Sequence, residues 1–202
     1  TIGDISASFI GNYVDSTYYA LGGAISNYSG SIGNITGYFE NNYVQGCYAR
    51  GGAILVQYES KLGDINANFV NNYASSTTGP ADGGAIYMYY GTIGDITGNF
   101  DGNHVIGLSG GSASGGAITN RYATIGNITG NFKNNYTRGS ETSSDSYNAT
   151  GGGAIFGYTG NFGNITGEFV GNNAEGNYAI GGAIYNFYGH IGNVQGIFKD
   201  NH

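Results

Sequence analysis

The sequence is poor in positive charge, in cysteine and in long apolar runs. Six lysines and arginines stand against 13 acidic residues, for a formal net charge of −7. A nucleic-acid binder neutralises phosphates with a basic stripe, so the deficit excludes that class and with it attraction to an anionic membrane surface. The single cysteine, Cys47, has no internal disulfide partner and reads as a small residue in a variable segment. No apolar run reaches the roughly 18 residues of a membrane-spanning helix, and Thr1 is not followed by a secretion-signal pattern. Charged residues of either sign make up only 9% of the chain. What fills the space is glycine, 40 residues in 202, beside a single proline, Pro80. Such glycine suggests collagen or a linker, but there is no G-x-y period and 40% of the chain is hydrophobic. With aromatics at 14%, disorder is also excluded, and a packed, glycine-punctuated β protein remains.

The glycines are periodic. G-G-A-I occurs at 22–25, 51–54, 83–86, 115–118, 152–155 and 181–184. A second phrase, I-G-[D/N]-I, begins at Ile2, Ile32, Ile93 and Ile125, and in altered form at Leu62, Phe162 and Ile191. Successive copies lie 30, 30, 31, 32, 37 and 29 residues apart, the signature of a repeat architecture. Seven residues into each copy stands Phe9, Phe39, Phe69, Phe100, Phe132, Phe169 or Phe198. Three residues later comes Asn12, Asn42, Asn72, Asn103, Asn135, Asn172 or Asn201. From the G-G-A-I isoleucine to the next phrase is seven residues, except eight from Ile54 to Leu62. Nearly all length variation therefore falls between the asparagine and the next G-G-A-I, which is expected to be a loop.

Within the constant part the apolar period is two: Ile5, Ala7 and Phe9 alternate with Ser6 and Ser8. That is a half-buried strand, and the glycine density excludes a helix. The pattern predicts an all-β fold, a right-handed single-stranded parallel β-helix (β-solenoid). Each 29–37-residue repeat makes one triangular coil of three short strands, I-G, I-T-G-x-F and G-G-A-I. Residues 1–202 form one domain of six full repeats and a partial seventh, an excerpt of a longer repetitive chain and a rod of about 30 Å. Equivalent letters then lie above one another. The glycine pair marks a crowded turn, the phenylalanines an internal stack, and the asparagines a ladder of side-chain amides. The row Asp4, Asn34, Asp64, Asp95, Asn127, Asn164 and Asn193 reads as a second structural column at a turn.

F-x-x-N and G-G-A-I alternating over the whole chain resemble the repeats of the chlamydial polymorphic outer-membrane proteins and, more broadly, the β-helical passenger domains of autotransporters. The resemblance implies an extracellular, cell-surface β-helix with an adhesive function.

Few residues suggest chemistry. Asp64 and Asp95 are vertical neighbours that could recruit calcium, but the bases Arg50, Lys61, Arg121, Lys133, Arg138 and Lys199 are scattered, and no facing carboxylate pair marks glycoside hydrolysis. His104, His190 and His202 fall in different repeats, so no metal site, catalytic residue or cofactor is expected. Asx-Ile-Thr triplets with Thr36, Thr97, Thr129 and Thr166 are too irregular for an ice-binding face. Glycosylation sequons occur at Asn27, Asn34, Asn127, Asn135, Asn148 and Asn164.

Tyrosine is the better candidate. Tyr13, Tyr43, Tyr73 and Tyr136 follow the ladder asparagine. Tyr28, Tyr89, Tyr158 and Phe187 lie three residues beyond the G-G-A-I isoleucine, with Tyr58, Tyr90, Tyr122 and Tyr188 one further. These stripes either stiffen the rod by stacking on themselves or offer an aromatic platform to a sugar chain, a partner protein or another rod. The segment from Tyr136 to Thr150, with Arg138, Glu141 and Asp145, is the longest excursion from the repeat. The expected function is a structural or adhesive extracellular rod that is not an enzyme. Its expected partners are further copies, end to end or side by side, or a glycan or host-cell surface. A glycan-binding module or polysaccharide-active enzyme is the alternative.

Overall fold

The computed structural model describes residues 1–140 and 149–202. These residues form strands and turns with no helix, and neighbouring strands pair in parallel from one coil to the next. The protein is a β-solenoid, and its register is the one the repeats spell. Ile5 pairs with Ile35 and Phe9 with Phe39, then Ile65 with Ile35 and Phe69 with Phe39. Among the described residues the strands make four sheets, of nine, six, six and ten strands.

The Phe sheet carries Ile5–Ile10, Ile35–Glu40, Ile65–Val70, Ile165–Val170 and Val194–Lys199, and is interrupted in the two coils between. The Ile sheet carries the G-G-A-I isoleucines, from Ile25–Tyr28 to Ile184–Phe187, and the short strands of the I-G phrase. These include the three segments expected from the sequence. Two more sheets lie where a loop was expected, so the coil is larger than a three-strand triangle. The Tyr sheet runs from Tyr13–Asp15 through Tyr43–Gly46, Tyr73–Ser76, His104–Gly107 and Tyr136–Arg138 to Asn173–Glu175. The Ala sheet runs from Tyr19–Leu21 through Tyr48–Arg50, Ala81–Asp82, Ala113–Ser114 and Thr150–Gly151 to Ala179–Ile180. Their cause is a second, narrow core. Val44, Ala74 and Val105 from the Tyr sheet face Ala20, Ala49, Ala81 and Ala113 from the Ala sheet, all fully buried. Nearly all length variation falls between these two sheets, the exception being one extra residue between Ile54 and Leu62.

The main core is built from columns. Seven phenylalanines pile in single file with ring centroids 4.8, 4.8, 4.8, 4.7, 4.7 and 4.6 Å apart and planes within 11° of parallel. Each such contact contributes about 0.5–1.5 kcal/mol beyond the area it buries. Ile35, Ile65, Ile96, Ile128 and Ile165 rise beside them, facing Ile54, Ile86, Ile118 and Ile155. The asparagine ladder turns the corner after the Phe sheet. Asn72 Oδ1 accepts both the backbone N–H of Asn42 (3.0 Å) and its side-chain amide (2.9 Å), while Asn72 Nδ2 donates to the Phe39 carbonyl (2.9 Å). The scheme repeats through Asn103, Asn135 and Asn172 to Asn201, so these buried amides are satisfied.

The glycine pair has two distinct causes. The first glycine, Gly83 for example, has φ +63°, which only glycine adopts without strain. The second, Gly84, has no such requirement. A Cβ there would collide with the carbonyl oxygen of Gly116 in the next coil. The Ala sheet and the Ile sheet meet at this turn, and backbone packs directly on backbone.

Candidate ligand-binding surfaces

Both tyrosine stripes exist as continuous columns, but they differ in what they show to solvent. In the Tyr sheet, Tyr13, Tyr43 and Tyr73 stack at 5.0 and 4.8 Å with planes within 6°. His104 occupies the same column between Tyr73 and Tyr136, 5.0 and 4.7 Å away and within 10° of parallel. It shares with the tyrosines the position after the ladder asparagine, a kinship that the change of letter hides. Burial holds its imidazole below the ordinary range, an effect partly offset by the contact of Nδ1 with the Gly102 carbonyl at 3.2 Å. Burial also raises the Tyr73 and Tyr136 phenols, more than Arg138 lowers that of Tyr136. Inside the column the ring faces are covered by one another, and the stripe presents mainly edges and hydroxyls.

The second set lies at the corner where the Ile sheet bends into the I-G phrase. That corner puts non-glycine residues in left-handed backbone, among them Tyr58, Tyr90, Tyr122 and Tyr188 with φ between 50 and 56°. The rings alternate in orientation. Tyr28 meets Tyr58 at 48°, Tyr58 meets Tyr89 at 78°, Tyr89 meets Tyr122 at 88° and Tyr122 meets Tyr158 at 71°. Tyr158 and Phe187 then stack at 5.5 Å. Alternation leaves ring faces open, and Tyr28, Tyr58, Tyr90 and Tyr188 are all exposed. This corner is therefore the aromatic surface with the more open ring faces.

The concave angle between the Ile sheet and the Ala sheet holds a charge cluster the repeat did not reveal. Asp82 is fully buried, 2.8 Å from Arg121 Nη2 and 3.3 Å from Arg50 Nε. Arg121 also donates to Ser114 Oγ and lies over the Phe156 ring, 4.9 Å from its centroid, while Arg50 lies over Tyr87. The cluster pins the outer side of the Ile sheet, where Leu55, Tyr87, Thr119 and Phe156 are fully buried, to the Ala sheet. Asp82 and Arg121 come from different sheets and different coils, so no spacing in the repeat signals their meeting.

The Asx column has a backbone task. Asp64 Oδ1 accepts the N–H of Asp95 at 2.8 Å, and Asp95 Oδ1 accepts that of Asn127 at 2.7 Å. A further amide ladder, on the exposed side of the Phe sheet, links Asn68, Asn99 and Asn131. Among the described residues no group of three His, Cys, Asp or Glu could hold a metal ion, and no helix is long and apolar enough to cross a membrane. Of the sequons, Asn27 and Asn135 are buried, Asn34, Asn127 and Asn164 are exposed, and Asn148 lies outside the described residues. Glu141 and Asp145 also lie outside them, and Arg138 pairs with Glu175 at 3.3 Å on the surface. Cys47 sits at the turn between the Tyr and Ala sheets beside Thr78. Compared with protein-family models, curated proteins and solved structures, the chain matches none.

Proposed function

We propose that this solenoid is an extracellular structural and adhesive rod, displayed on a cell surface or assembled into a fibre. The observation that carries the reading is the continuity of its columns. The stacked phenylalanines and the asparagine ladder run through every coil, and side chains that catalysis would need are spent on that continuity. The F-x-x-N and G-G-A-I resemblance to surface-displayed passenger domains supports the location. The corner tyrosines supply the contacts, to a host-cell or glycan surface or to another rod.

A glycan-binding module is the second reading, favoured by the open ring faces at that corner. Against it, the steep crossings of Tyr58 with Tyr89 and of Tyr122 with Tyr158 interrupt the run, and the parallel pairs Tyr90–Tyr122 and Tyr158–Phe187 are too short for a sugar chain. A polysaccharide-cleaving enzyme has less support, since Asp64 and Asp95 each hold a backbone amide of the next coil.

Sedimentation of the 202-residue chain over a wide concentration range, with electron microscopy of the same samples, tests the rod. In this 202-residue piece the first and last Phe-sheet strands each pair on one side only, and Ile10 and Ile197 on them are exposed, so samples of the piece should associate end to end. Beads coated with the chain should also adhere to cells. A stable monomer at every concentration, with coated beads that fail to adhere, overturns the proposal.

A further inference from the structure

The corner column contains one irregularity, and it forms a site. Ile54 to Leu62 is one residue longer than its counterparts, and the extra residue is absorbed at the corner, where both Tyr58 (φ 55°) and Glu59 (φ 60°) are left-handed. The equivalent corners spend a single such residue: Ser29, Tyr90, Tyr122, Thr159 and Tyr188. Pairing with the next coil slips here, so that Tyr89 and Gly91 face Gln57 and Ser60 while Tyr90 alone opposes Tyr58 and Glu59. The slip opens a cleft of about 450 Å³ lined by Ser29, Tyr58, Glu59, Tyr89 and Tyr90.

We propose that this cleft binds a methylated ammonium cation, the trimethylammonium group of a choline or a trimethyl-lysine. Its walls are aromatic and nearly orthogonal: Tyr58 and Tyr89 cross at 78° with centroids 6.0 Å apart, and Tyr89 and Tyr90 at 80° with centroids 4.6 Å apart. The outer walls are braced from behind, Tyr58 by Tyr28 at 4.6 Å and Tyr90 by Tyr122 at 5.0 Å. The electron-rich ring faces attract a cation, and crossed rings surround a compact one where parallel rings cannot. Glu59 supplies a formal negative charge and has no ion-pair partner among the described residues.

The alternatives fit less well. A small metal ion needs several oxygen ligands, and the cleft has one carboxylate. A sugar needs a flat ring face to lie on, and the steeply crossed Tyr58, Tyr89 and Tyr90 offer none inside the cleft, although Glu59 and Ser29 could each meet a hydroxyl. A methylated ammonium is weakly hydrated, apolar in shape and positive, and the net charge of −7 concentrates it near the surface. The inference deepens the contact-surface part of the rod reading, and its test does not depend on adhesion or assembly.

Equilibrium dialysis of labelled choline against the 202-residue chain decides it. The competitors are 3,3-dimethylbutan-1-ol, choline's neutral isostere, and a neutral oligosaccharide. Choline is expected to bind about tenfold or more tightly than the isostere. Tyr58→Ala should weaken it by about 5- to 30-fold and Glu59→Gln by about 2- to 5-fold. Tyr58→Phe should keep the affinity, because the ring and not the hydroxyl is the wall, and Tyr13→Ala on the other stripe should leave it unchanged. Circular dichroism confirms that each variant stays folded, and Glu59→Gln, an exposed change, keeps the test open if Tyr58→Ala does not fold. Competition by a trimethyl-lysine peptide or by phosphatidylcholine vesicles supports the site and tells a protein source from a lipid one. No choline binding, equal binding of the neutral isostere, preference for the oligosaccharide, or full affinity in both folded variants overturns the proposal.

Discussion

His104 shows how much one letter can change inside a column. Its neighbours in the stack are Tyr73 and Tyr136, whose rings titrate far above neutrality and stay uncharged. The imidazole alone can charge near neutral pH. Burial holds its pKa below the ordinary 6.5, so the unfolded chain takes up the proton first as pH falls. The stability the neutral ring contributes is complete above about pH 6.5 and is lost as pH drops toward the lowered folded value, by at most about 1.4 kcal/mol per pH unit. His104→Tyr restores the letter found in the coils on either side. Thermal unfolding at pH 7.5 and pH 5 should show a larger drop in midpoint for the natural chain than for the variant. An equal drop in both would remove His104 as its cause. The residue scale is also where the sequence was most legible. Phe9 to Phe198 and Asn12 to Asn201 kept their letters because a stacked position has one shape in every coil. His104 stood at a readable position with an unreadable letter, since nothing in the text says that an imidazole fills a phenol's place.

At the scale of the strand and sheet, legibility falls with the variety of acceptable residues. The Tyr and Ala sheets were expected to be loop because their inward positions accept small residues as different as Val44, Ala74, Val105 and Thr137, whose buried hydroxyl finds no partner, and because insertions fall in the turn between them. Small residues leave no conspicuous pattern. The orientation of the corner rings was equally hidden: the spacing placed Tyr89 in one row and Tyr58 and Tyr122 in the next, and could not say that the two rows meet and cross. What joins the Ala sheet to the Ile sheet is the Asp82 cluster, and its removal has a computable cost. Asp82→Ala takes away the carboxylate that faces the fully buried Arg121, which should cost about 3–5 kcal/mol. Arg50→Ala should cost about 1 kcal/mol or less, since that side chain is 21% exposed and its bond is longer. Urea unfolding midpoints of the two variants check the ranking, and similar losses would show that the cluster is not what fastens the sheets.

At the scale of the molecule, each coil touches only the coils next to it, so stability is a sum of neighbour terms and opening begins at the ends. The inner ladder asparagines are fully buried, whereas the outer coils expose Ile2, Ile10, Val194 and Phe198. Amide hydrogen exchange read by mass spectrometry should therefore be slowest from Asn72 to Asn135. Exchange near Asn12 and Asn201 should be faster by roughly two orders of magnitude or more. Uniform protection along the chain would mean that the solenoid opens as one unit.

The asparagine ladder has one more consequence, which concerns direction. From Asn42 to Asn172 each amide oxygen accepts from the coil before, while the nitrogen donates both to the coil that follows and back to a phenylalanine carbonyl of the coil before. The amide oxygens therefore all point the same way along the axis, and the two faces of any one coil differ: one offers the amide oxygen, the other an amide N–H beside a phenylalanine carbonyl. Two copies that meet head to tail continue the column's own hydrogen bonds. Such a contact is heterologous, and where the rotation between copies closes no ring, the fibre it builds has a sense of travel, with a growing face chemically unlike its trailing one.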